Sequence, residues 1–152
     1  MMDNSSIPFD GRLLQAYLST CYRVCFSPKT KLDIHIGQKH PELDRHLLEV
    51  GYAHWLFITA WNPHSQLLEA SQNAARNFAL LETIQNLQLP YLMGSGVGTD
   101  GTWPAEESFW VAGIEQDEAL HWGKKWEQNA VVWGEIGKEA ELLLIADRHC
   151  RM

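Results

Sequence analysis

The chain has 152 residues, 45% hydrophobic and 20% charged, with a formal net charge of −7. That length and balance describe one globular domain able to bury its own core. The acidic sum, with lysines and arginines scattered rather than gathered on one surface, argues against binding a nucleic-acid backbone. No stretch approaches the ~18 consecutive apolar residues of a membrane-spanning helix, so a soluble chain without a membrane partner is expected. The three cysteines, Cys21, Cys25 and Cys150, form neither an even framework nor a CxxC. With no apolar signal segment at the N-terminus, they imply a reducing cytoplasm.

Residues 1–9 are polar and irregular and read as a frayed terminus, and 147–152 as a tail; one domain spans 10–146. Asp10 is placed to cap a short helix through Leu13, Leu14, Tyr17 and Leu18, spaced by three and four. Tyr22 to Phe26 reads as a strand broken by Ser27-Pro28, and Leu32 to Ile36 alternates with the period of a half-buried strand ended by Gly37. Pro41 opens a second helix through Leu43, Leu47, Leu48 and Val50, which Gly51 stops. Trp55 to Trp61 is nearly continuously apolar, which predicts a central strand buried on both faces; Asn62-Pro63 ends it.

The longest helix is predicted over Leu68 to Leu87. Ala70, Asn73, Asn77, Leu80, Ile84 and Leu87 share one stripe of it, with two carboxamides at the N-terminal end. Leu89 to Met93 and Phe109 to Ile114 are expected to pair antiparallel across a long, glycine-rich loop from Gly94 to Glu107, mobile enough to serve as a lid. A helix from Gln116 to Glu127 carries Ala119, Trp122 and Trp126 on one face. Two strands follow, Ala130 to Ile136 and Glu141 to Ile145, with a turn at Gly137-Lys138. The sum is an α+β domain: a mixed, mostly antiparallel sheet of about six to seven strands with three to four helices packed on it.

The polar corner after the central strand is the first candidate site. Asn62 and Ser65 fall at the strand-to-helix junction, Asn73 and Asn77 project from the helix stripe, and Arg76 sits between them. Helix N-terminal amides beside a guanidinium favour an anionic or carbonyl-bearing ligand. Equally open is a purely structural use, with Asn62 capping the helix and both asparagines tying down loop backbone. Glu107, in Glu106-Glu107-Ser108-Phe109, is a carboxylate placed for a general base, or else a solvated loop acid. Gln128 and Asn129 close the tryptophan helix, either as a cap or as the edge of a pocket for which Trp133 supplies a stacking face. Gly94-Ser95-Gly96-Val97-Gly98 lacks the lysine and helix start of a phosphate cradle. The seven histidines show no metal-ligand spacing, and Cys21 and Cys25, four apart on one strand face, read as small buried hydrophobes.

Phe57-Ile-Thr-Ala-Trp-Asn-Pro63, Asn73 with Arg76-Asn77, Glu107-Ser108-Phe109 and Gln128-Asn129-Ala130-Val131 occur together in order. In this combination the chain resembles an uncharacterised bacterial family, the domain of unknown function 3293, over roughly Ala16 to Leu144. The resemblance implies that these blocks recur in the family; it implies no activity, catalytic residue or cofactor.

Two functions follow as expectations. In the first, the domain binds a small polar or anionic ligand, with or without catalysis. Its polar groups are Asn62, Asn73, Arg76, Asn77, Glu107 and Gln128, with Trp61, Phe109 and Trp133 as walls. Glu107 and Arg76 are the catalytic candidates, as base and anion stabiliser; the pattern names no metal or cofactor. In the second, the domain is a non-catalytic interaction or regulatory module docking a protein through its acidic surface and exposed tryptophans.

Overall fold

The computed structural model describes residues 11–98 and 105–145. Among the described residues there are four α-helices: α1 (Gly11–Ser19), α2 (Pro41–Val50), α3 (Ala70–Asn86) and α4 (Gln116–Lys125). The seven strands are β1 (Cys21–Ser27), β2 (Thr30–Ile34), β3 (His54–Ile58), β4 (Tyr91–Val97), β5 (Glu106–Ala112), β6 (Ala130–Glu135) and β7 (Glu141–Leu144). They form one sheet in the order β2-β1-β4-β5-β3-β6-β7, with every neighbouring pair antiparallel. The domain is α+β, and β3 lies inside the sheet between β5 and β6, as its apolar run requires.

The pleat divides the core in two. Leu56, Ile58, Phe109, Val111, Val131 and Trp133 point to one face and meet Leu80 and Ile84 of α3 and Ala119 of α4. Tyr22, Val24, Trp55, Phe57, Trp110 and Val132 point to the other and meet Leu43 and Leu47 of α2. Helices therefore lie on both faces of the sheet. Trp133 belongs to the first layer, 5% exposed, with its indole N–H donated to the Ile114 carbonyl at 2.8 Å. It is a core residue and not the stacking face of an open pocket. Phe109, at 1% exposure, is likewise enclosed by the α3 layer.

Several boundaries differ from expectation, each for a physical reason. Gly94 to Val97 belongs to β4, paired with β1 and β5, so the connection to β5 is shorter than the predicted loop. Gly94 tolerates no side chain because a Cβ there would strike the Arg23 carbonyl and the Phe57 ring. The remainder of the predicted lid, residues 99–104, lies outside the described residues, as do the Asp10 cap, both termini and Cys150. The central strand ends at Ile58 rather than Trp61. Helix α3 begins at Ala70 under a capping box in which Glu69 and Gln72 satisfy each other's backbone, so Asn62 is not its cap. Cys21 and Cys25 are half-buried rather than core residues.

Candidate functional site

Between Ile58 and α3 the chain turns a corner held by side chains instead of a strand ladder. Asn77 Oδ1 accepts from the Ala60 N–H at 2.8 Å and its Nδ2 donates to the Glu107 carbonyl at 2.7 Å. One turn earlier, Asn73 Oδ1 accepts from the Asn62 N–H at 2.7 Å and its Nδ2 donates to Asn62 Oδ1 at 2.8 Å. Both carboxamides are 2% exposed, where an unpaired amide would be costly. The stripe read from the sequence is thus a clamp: α3 supplies the partners that strand neighbours supply elsewhere.

Arg76 completes the clamp. Its Nε donates to the Ala60 carbonyl at 2.7 Å, one terminal nitrogen to the Trp126 carbonyl at 2.9 Å, and the other to Glu127 Oε1 at 3.1 Å. The guanidinium is engaged by the protein on all three nitrogens. Gln128 Nε2 donates to the carbonyls of Trp61 and Trp126. Trp61 is half-buried, and its own N–H meets Thr59 Oγ1 at 3.1 Å.

The corner also concentrates unusual backbone. Asn62, His64 and Ser65 have φ of 47°, 53° and 61°, and Glu127 has 59°. Glu127 closes α4 in a Schellman arrangement, where Gln128 N–H reaches the Gly123 carbonyl and Glu127 N–H reaches Lys124. That position normally holds glycine. The Glu127 carbonyl then accepts from the His64 N–H at 2.6 Å, which ties the two left-handed segments together.

On the opposite face of the sheet from the clamp, a cavity of about 260 Å³ opens beneath α1. Leu13, Ala16 and Tyr17 of the helix roof it, and Tyr22, Phe57 and Val132 form an apolar floor. Asn62, Ser65, Glu106, Ser108 and Gln128 supply polar atoms at the corner end. Asn62 Nδ2 donates to Glu106 Oε2 at 3.2 Å, Asn129 Nδ2 donates to Ser65 Oγ at 3.1 Å, and the hydroxyls of Tyr17 and Ser65 lie 3.3 Å apart. Burial raises the Tyr17 phenol above its ordinary range, opposed by the Ser65 hydrogen bond, with the Glu106 charge adding to the rise. The phenol is therefore neutral at physiological pH.

Of the residues expected at a pocket, the structure places Asn62 and Gln128 on this cavity. Asn73, Arg76 and Asn77 stand behind it in the clamp, Phe109 in the core, and neither Trp61 nor Glu107 lines it. The sequence reading missed Tyr17, Tyr22 and Thr59 and chose the wrong one of two adjacent acids for this wall. Strand parity decides between them: Glu106, Ser108 and Trp110 share the cavity's face, while Glu107, Phe109 and Val111 share the α3 face. Because Phe109, Trp110 and Val111 are all apolar, no alternation marks that parity in the sequence.

No helix among the described residues is long and apolar enough to cross a membrane. Comparison with curated proteins returns no match, and comparison with solved structures returns none either. Residues 58–131 match the model of the family described as "Protein of unknown function (DUF3293)". The match is narrower than the span read from the sequence; it begins at the last residue of β3 and runs through the corner, α3, β4, β5 and α4 into β6. It includes Asn62, Asn73, Arg76, Asn77, Glu106, Glu107 and Gln128, and leaves out α1, which roofs the cavity. Through the segment that builds the corner, this chain resembles the family of unknown function DUF3293.

Proposed function

We propose that this domain binds a small molecule in the cavity beneath α1, with the Asn62 corner as its polar wall. The observation supporting this is that the cavity ends on Asn62 and Ser65, two left-handed, non-glycine residues that flank a third, His64. Such backbone costs free energy and persists where the surroundings over-determine it, a circumstance concentrated at ligand sites. An apolar chamber with a few convergent polar groups is the usual form of a small-molecule site.

The ligand on this reading has an apolar body seated on Tyr22, Phe57 and Val132, with a polar end facing Asn62, Ser65 and Glu106. Arg76 is held by two carbonyls and Glu127, so an anionic group would meet hydroxyls and the Asn62 amide instead of a guanidinium. If the site performs proton transfer, Glu106 is the carboxylate placed to do it, and Arg76 acts by holding the corner. Two free thiols, Cys21 and Cys25, suit a reducing bacterial cytoplasm.

A thermal-shift screen against nucleotides, amino acids and common cofactors tests the proposal. A compound that stabilises the native chain should lose its effect in Ala16→Phe. Ala16 is an exposed roof residue, so the larger ring fills the cavity while leaving the sheet intact. A shift that survives the substitution would place binding elsewhere and overturn the proposal.

A further inference from the structure

We infer that Cys21, Asp33 and His35 form a site for a divalent transition-metal ion, with zinc the best fit. Asp33 and His35 are close in sequence, and the β1–β2 ladder brings Cys21, from the preceding strand, beside them. Tyr22 pairs with Ile34 and Arg23 with Asp33, antiparallel, so the register carries on to set Cys21 across from His35. Asp33 stands two residues before His35 and therefore on the same face. That face is the one opposite Tyr22 and Val24, whose side chains enter the α2 core.

The donor atoms of the three residues all lie within 4.8 Å of one another, and Cys21 Sγ is 4.0 Å from His35 Nδ1. Tetrahedral zinc, with bonds of about 2.0–2.3 Å, holds its ligand atoms about 3.5 Å apart, so small rotations of half-buried side chains close the set. Sulfur, imidazole and carboxylate together suit zinc, and three protein ligands leave one position for water or another ligand. Two supporting contacts fix the ligands. Arg23 grips the Asp33 carboxylate with Nε on Oδ1 at 2.7 Å and a terminal nitrogen on Oδ2 at 3.1 Å, which orients it as outer partners orient metal ligands. His40 Nε2 accepts the backbone N–H of His35 at 3.1 Å, pinning the end of β2. The pair of strands is the rigid frame, and no residue of the corner or cavity takes part.

The test uses untagged, metal-free, full-length protein titrated with Zn2+ in equilibrium dialysis and with Co2+ in absorption. One ion per chain is expected, with a thiolate-to-cobalt charge-transfer band. Cys21→Ser should remove the band, and His35→Ala or Asp33→Asn should weaken binding tenfold or more. Cys25→Ser should leave both readouts unchanged; Cys25 lies on the same face but faces Lys31 across the ladder. Circular dichroism on each variant separates loss of the site from loss of fold, and Cys21→Ser, the mildest change, decides where another unfolds. A charge-transfer band that persists in folded Cys21→Ser, or no binding to the native chain at all, would overturn the inference.

Discussion

Asn77 on α3 donates its Nδ2 to the backbone carbonyl of Glu107 at 2.7 Å while its Oδ1 accepts the Ala60 N–H at 2.8 Å. One side chain thus joins the end of β3 to the start of β5. Replacing it with alanine leaves the buried Ala60 N–H unpaired, at about 1–3 kcal/mol when fully desolvated, while the Glu107 carbonyl keeps the Thr59 hydroxyl as a donor. Asn77→Ala should therefore cost about 1–3 kcal/mol in urea denaturation. Asn77→Asp should also destabilise, because a carboxylate keeps the Ala60 contact but cannot donate to Glu107. A loss below ~0.5 kcal/mol in both would show that the clamp contributes little.

Arg76→Lys should behave as a disruptive change. Lysine cannot reproduce a planar fork reaching the Ala60 and Trp126 carbonyls together, so about 1–3 kcal/mol of stability should be lost. Glu127→Gln removes the exposed ion pair and keeps both carbonyl contacts, so it should cost less than about 1 kcal/mol. Denaturation midpoints of the two variants, compared at low and high salt, check the ordering.

Left-handed residues outside the corner offer a control for those within it. Gln88 closes α3 at φ 58°, is exposed, and sits away from the cavity. Gln88→Gly should stabilise by about 0.5–1 kcal/mol through relief of backbone strain. His64→Gly should relieve a similar strain, yet it loosens the backbone between Asn62 and Ser65, which line the cavity. Higher melting temperature with weaker binding of any ligand found would tie the strain to the site.

Alkaline stability should report the buried phenols. Burial raises both Tyr17 and Tyr22 above the ordinary value of 10.0. Above pH 10 the unfolded chain ionises these groups while the folded chain keeps them protonated, so the unfolded state is favoured as pH rises. Stability should be insensitive to these groups below pH 10 and fall above it. Tyr22→Phe should make that fall shallower, as read from urea midpoints across the alkaline range.

Gly134→Ala should cost at least about 1–3 kcal/mol by overpacking. A Cβ at position 134 would collide with the Trp55 indole across the β3–β6 ladder.

Much of the fold was legible because the elements follow strong local signals. The period of Leu32 to Ile36, Pro41 and Gly51 around α2, and the apolar run after His54 all led to real elements. The site was legible only in part. Asn62, Asn73, Arg76, Asn77 and Gln128 do converge, but a linear pattern does not distinguish an amide that holds backbone from one that faces a cavity. The cavity depends on α1 crossing the sheet beside residues brought from β1, β5 and β6. Such juxtaposition is a property of strand order and leaves no local mark. The trio Cys21, Asp33 and His35 was hidden for the same reason, since its spacing is set by pairing across two strands.

The position of β3 has a consequence for how the chain reaches this structure. Phe57 takes as ladder neighbours Trp110 on one side and Val132 on the other, both from much later in the chain. Contacts of such wide separation require closing large loops before they return any stabilisation, and they slow folding. The ladder between β1 and β2 closes locally and early. Strand β3 therefore waits for nearly the whole polypeptide, and until β6 arrives the run from His54 to Ile58 is an unpaired apolar edge open to aggregation.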